Sequence, residues 1–99
     1  MHYVVFEQAG VCSPPLYAIN WTVTLGSKTE MQRANGTSNP NLQDSADKNY
    51  SIIVFPTSDG TYHYSTTGAN FDPGSGTVVV NGSDVLVELV GPLGLHCPL

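Results

Sequence analysis

Apolar and polar residues alternate with a period of two through the patterned stretches of this chain, and no stretch carries a helical stripe. Short runs rich in Val, Ile, Thr, Tyr and Trp are separated, about every 8 to 12 residues, by clusters of Gly, Pro, Asn and Asp. That rhythm is the pattern of a β-sandwich or barrel. It predicts an all-β, immunoglobulin-like antiparallel β-sandwich of about seven strands. The chain of 99 residues is long enough for one domain, residues 1–99, with one modest core.

Strands are expected at His2–Gln8, at residues 19–25, at 51–55 ended by Pro56, and at 61–66, with a short strand near 29–32. In the second, Trp21, Val23 and Leu25 alternate with Asn20, Thr22 and Thr24, so the apolar set faces inward. Ser58-Asp59-Gly60 reads as a hairpin turn, with Tyr62 and Tyr64 inward after it and His63 outward. Phe71-Asp72-Pro73-Gly74 reads as a loop. The clearest local signal is TVVVNGSDVLVEL. Asn81-Gly82 tolerates positive φ and predicts a tight type I′ hairpin. Across it Val78 and Val80 join Val85, Val87 and Leu89 in the core with Phe6, while Asp84 and Glu88 face water. Val79, Leu86 and Val90 then fall on the outer face. Residues 27–48 form a polar stretch expected to be largely loop, and residues 91–99 a short tail.

Charge narrows the partners. Only 11% of residues are Asp, Glu, Lys or Arg, against a usual share of about 25%. The surface must therefore be made of Ser, Thr, Asn, Gln and Gly, and it barely titrates. The net charge is −5, with Lys28, Arg33 and Lys48 as the basic residues. That leaves no basic footprint for nucleic acid or for an anionic membrane. No apolar run reaches the roughly 20 residues of a membrane span. The chain opens directly on the strand-like HYVVFEQ, without a basic leader, as a mature domain would.

Cys12 and Cys97 are candidates for one disulfide and an oxidising compartment. First and last strands of such sandwiches often run side by side in parallel, which would bring the two cysteines to one end. The bridge would close about 85 residues and contribute roughly 4–5 kcal/mol in the chain-entropy model. Four Asn-x-Ser/Thr sequons, at Asn20, Asn35, Asn49 and Asn81, are candidate glycosylation sites at outward, loop or turn positions.

Catalytic and metal patterns are weak. His2, His63 and His96 lack metal-ligand spacing. Asp44, Asp47 and Asp59 do not form the Asp-x-Asp-x-Asp-Gly calcium pattern. Asp59-Gly60-Thr61 reads as a β-turn, with Gly60 as its turn residue, and there is no nucleophile elbow or phosphate-cradling glycine loop. The expectation is a non-enzyme without metal or cofactor. Tyr3, Tyr17, Tyr50 and Phe71 are left as candidate surface aromatics. They are the basis of an alternative reading, a carbohydrate-binding module with glycans as partners.

The order FEQAG, NWTVTLG, DGTYHY, SGTVVVNG and a last apolar strand resembles a repeat of archaeal cell-surface proteins. That repeat occurs in thermopsin-like and S-layer-associated secreted proteins. Phe6 and Gly10 match its first segment. Trp21 and Val23 to Gly26 match the second, and Pro56, Gly60 to Tyr62 and Tyr64 the third. Ser75 to Val78 and Val80 to Gly82 match the fourth. The chain departs from the repeat at Gly10-Val11-Cys12-Ser13-Pro14-Pro15, in the length of 27–48, and in its cysteines and tail. The resemblance implies a stalk-like or accessory β domain outside the cell. The partners expected of such a module are neighbouring surface-protein domains or like subunits; β-domain filaments commonly associate by strand donation, for which His2–Gln8 or the tail after Gly91 is the candidate donor. No catalytic residue carries over.

Overall fold

The computed structural model describes residues 1–8, 16–18, 21–32, 42–44, 52–68, 71–90 and 94. They form nine strands: β1 (His2–Gln8), β2 (Leu16–Ala18), β3 (Trp21–Leu25), β4 (Lys28–Gln32), β5 (Leu42–Asp44), β6 (Ile52–Thr57), β7 (Gly60–Gly68), β8 (Phe71–Val80) and β9 (Val85–Leu89). Seven of them make a sandwich of two sheets, ordered β4-β3-β7-β8 and β6-β1-β9, while β2 and β5 pair separately. The fold is thus the expected all-β sandwich. Its strand order differs from the one described for immunoglobulin constant domains, whose sheets hold the first, second, fifth and fourth strands and the third, sixth and seventh. Here the first strand lies between the fourth and the last of the seven. It runs antiparallel to β6 and parallel to β9, the side-by-side arrangement expected of first and last strands.

The inner faces follow the period-two pattern. Val4 and Phe6 of β1, Trp21, Val23 and Leu25 of β3, Tyr64 of β7, Val78 and Val80 of β8, and Leu89 of β9 are buried together. An aromatic column joins the sheets. The Phe6 ring meets Tyr64 edge-on at 5.1 Å and Phe55 at 5.7 Å. Tyr62, Val85 and Val87 were expected in the core but reach only partial burial. β9 is an edge strand, and Tyr62 turns its hydroxyl out to the Ser58 carbonyl at 2.9 Å. Val4, Ile53, Phe55 and Phe71 are core residues not anticipated from the pattern.

Two glycines decide local packing. Gly68 lies against the bases of Trp21 and Phe71, whose rings stack at 5.2 Å. A Cβ there would stand 2.9 Å from Trp21 Cβ. Gly76 lies under the Tyr64 ring, where a Cβ would meet the hydroxyl at 2.6 Å.

Three features correct the sequence reading. The first concerns turns. Ser58-Asp59-Gly60 and Asn81-Gly82 do not close hairpins: β6 and β7 lie in different sheets, and so do β8 and β9. Both turns are arches that carry the chain from one sheet to the other. Inward residues point into the core in either arrangement, so alternation cannot tell an arch from a hairpin. Side-chain hydrogen bonds accompany the crossing. Asp84 accepts the Tyr3 N–H at 2.9 Å where β9 meets β1, and Asp59 accepts the Gly82 N–H at 3.3 Å, joining the two arches. The true hairpins are β3–β4 and β7–β8. Leu25 pairs with Lys28 around Gly26-Ser27, and Gly26 supplies φ 61°, the positive value that primed two-residue turns need at their first central position.

The second correction is that residues 71–74 belong to β8 rather than to a loop, and Phe71 is buried rather than a surface aromatic. Pro73 is accommodated because β8 is an edge strand and the β7–β8 ladder shifts register there, Thr66 pairing with Gly74 but Gly68 with Phe71. The third is that Pro56 lies inside β6 opposite Tyr3, again on an edge. The polar stretch 27–48 holds β4, near the expected short strand, and also β5.

Candidate functional site

The two outer faces of the sandwich have opposite chemistry. Directly paired residues share a face, so the registers give the rows. On the four-stranded sheet, Thr29, Thr24, Ser65 and Ser75 line up across all four strands. The neighbouring rows are Met31, Thr22 and Thr67 on one side, then His63 with Thr77 and Thr61 with Val79 on the other. Hydroxyls meet along this face: Thr24 and Thr29 lie 3.0 Å apart, and Thr77 Oγ1 lies 3.4 Å from His63 Nδ1. No carboxylate, lysine or arginine stands in these rows.

On the three-stranded sheet the central row is Val54, Val5 and Leu86. Val54 and Leu86 are 44% and 59% exposed. Pro56 and Tyr3, the latter 51% exposed, form the row on one side. Ile52, Glu7 and Glu88 close the other. The result is an apolar strip bordered on one side by carboxylates.

The two sides of the sandwich also differ. On one, the edges β4 and β6 approach closely enough for Lys28 Nζ to reach the Pro56 carbonyl at 3.3 Å. Two clefts open there. One of ≈ 140 Å³ lies between the Gly26-Ser27 turn, Thr57, Ser58 and Tyr62, and one of ≈ 320 Å³ lies between residues 28–30 and 54–56. Both are shallow and carry few ionisable groups, Lys28, Glu30 and Tyr62. On the other side run the edges of β8 and β9.

Of the residues singled out in the sequence, Asn81 is exposed on its arch, as a glycosylation site must be, and Gly82 takes φ 78°. Gly60 closes the other arch with φ 153°. Asn20, Asn35, Asn49, Cys12, Cys97 and His96 lie outside the described residues, as do Tyr50 and the side chain of Tyr17. His2 Nδ1 lies 3.9 Å from Asp84, and His63 is exposed. Asp59 is engaged by the Gly82 N–H. Among the described residues no group of three or more His, Cys, Asp or Glu side chains could hold a metal ion. No helix among them is long and apolar enough to cross a membrane. The feature that sequence reasoning missed is the pair of contrasting faces. It depends on which strands are neighbours, and alternation alone does not tell that.

No protein-family model, curated protein or solved structure matches the chain.

Proposed function

We propose that this sandwich is a non-catalytic structural or adhesive module of an extracellular surface, meeting like subunits or neighbouring domains through its sheets. The observation that carries the reading is the row Thr29, Thr24, Ser65 and Ser75 with its neighbours. It is a broad sheet face of hydroxyl side chains in which His63 is the one titratable group. Apart from His63, such a face has no charge that changes with pH, which suits a surface exposed to the medium. The positioned carboxylates, Asp59 and Asp84, bind backbone N–H groups of the arches and of β1. They therefore act as structural ties.

The carbohydrate-binding alternative needs exposed ring faces. Trp21, Phe71 and Tyr64 are buried in the core, which leaves Tyr3 as the exposed ring on a sheet face among the described residues. The module reading is favoured on that ground.

The test is the intact mass of the protein from its native source, before and after reduction and alkylation. The expected result is mass heterogeneity in hexose-sized steps, with cysteines that alkylate only after reduction. A bare chain with both thiols free in the native protein would sink the extracellular assignment.

A further inference from the structure

We infer that the edge of β8, which pairs with β7 alone among the described strands, is a self-pairing surface, which joins two copies of this domain by antiparallel addition of β8 to β8. This deepens the module reading and rests on it for the nature of the partner, a like domain.

The geometry starts from one hydrogen bond. The Gly26 N–H donates to the His63 carbonyl at 2.8 Å, so the backbone of His63 turns toward β3. In an antiparallel ladder the residue opposite then turns its own N–H and C=O outward. That residue is Thr77. Ser75 and Val79, two positions to either side, face the same way. Three consecutive outward positions of β8 thus present N–H and C=O groups on a strand that pairs with β7 alone among the described strands. At the start of β8 the Asp72 N–H is already bound to the Gly94 carbonyl at 2.9 Å, so the pairing stretch begins after it.

Natural sheets protect such edges with charge, proline or bulges. The opposite side of this sandwich carries all but the last: Lys28 and Glu30 on β4, and Pro56 on β6. The β7–β8 bulge and Pro73 lie before the pairing stretch. From Gly74 to Val80 the sequence is GSGTVVV, without a charge or a proline, and Val79 is 60% exposed. The β4–β6 side is blunted, and among the described residues the β8 edge is not.

A second copy fits because an antiparallel strand can pair with itself about a two-fold axis. With the axis at Thr77, the two Thr77 residues stand opposite each other and Ser75 stands opposite Val79 of the second copy. Each of these pairs exchanges two hydrogen bonds. Threonine pairs are favourable cross-strand neighbours, and no charge meets a like charge in this register. The hydroxyl-covered faces of the two four-stranded sheets then merge into one. Each copy carries a net charge of −5, so long-range repulsion opposes the dimer and salt strengthens it. An edge-to-edge contact falls below the usual size of a stable interface, so the dimer forms reversibly at high concentration.

The test is sedimentation equilibrium of the whole chain up to millimolar concentration, at low and high salt. Wild type is expected to dimerise, more tightly in salt. Thr77→Pro removes the central outward N–H and should abolish the dimer. Should that variant fold poorly, Thr77→Asp and Thr77→Lys keep the backbone and place like charges across the axis. Each alone should raise the dissociation constant at least about tenfold, and a 1:1 mixture of the two should restore pairing. A wild-type monomer throughout, or a dimer indifferent to both charge variants, overturns the edge assignment. The latter leaves the module reading standing through another surface. A bare and reduced native chain overturns the module reading while leaving an edge-dependent dimer intact.

Discussion

The two sheets of this domain are assembled by opposite routes. The four-stranded sheet is made of two local hairpins, β3–β4 and β7–β8, joined along β3 and β7. The three-stranded sheet contains no local pairing at all. Its central strand β1 meets strands from the middle and the end of the described chain, Val5 pairing with Val54 on one side and Leu86 on the other. Local pairs close short loops, whereas distant pairs must overcome a larger closure entropy before any contact compensates for it. Each hairpin of the four-stranded sheet can therefore organise from its own sequence neighbourhood, and only their joining along β3 and β7 is long-range. The three-stranded sheet depends on the rest of the molecule being in place.

The largest expected effect comes from removing the centre of the non-local sheet. Phe6→Ala takes away a fully buried ring that touches both Tyr64 and Phe55, and it should cost about 3–5 kcal/mol in denaturant unfolding. Native-state hydrogen exchange on the wild type sharpens the comparison. Amides of β1 and β9 should open more readily than those of β3 and β7, and equal protection in both sheets would contradict the contrast.

A smaller effect is expected where the two sheets meet. Gly76→Ala pushes a methyl group against the Tyr64 ring, and the overpacking should cost about 1–3 kcal/mol. In a Tyr64→Leu background the same substitution should cost clearly less. Equal costs in both backgrounds would mean that the glycine is required for something other than the ring.

The smallest effect tests the tie between β9 and β1. Asp84→Ala frees the Tyr3 N–H from its carboxylate partner. Because the site is exposed, the loss should be about 0.5–1 kcal/mol, accompanied by faster exchange of the first amides of β1. Unchanged exchange there would show that the ladder with β6 alone holds the strand end.

Legibility from sequence followed the same division. Trp21, Val23 and Leu25, and Val78 with Val80, announced their inward faces by alternation alone, and all are buried. Asn81-Gly82 and Ser58-Asp59-Gly60 announced that the chain reverses, but not across what. A turn residue specifies backbone dihedrals, and the same dihedrals serve a hairpin or an arch. Phe71 was misplaced because Pro73 and Gly74 signal a loop, whereas an edge strand tolerates both next to a shift of register. The contrast between the two outer faces was hidden for a related reason. Val54, Val5 and Leu86 are unremarkable singly and become a strip only when β6, β1 and β9 are neighbours.

Short-range preferences in the sequence are enough to mark this chain as all β, to set which side chains of most strands face inward, and to place most of its turns. Those properties rest on the two-residue pleat and on backbone preferences of Gly, Asn and Pro, which act within a few residues. Which strands pair, which turns cross between sheets, and hence which edges and faces are left outward are settled in three dimensions. Pairing partners compete over the whole chain, and that competition is settled by burial of a shared core and by single contacts such as Asp84 to Tyr3, between groups far apart in sequence.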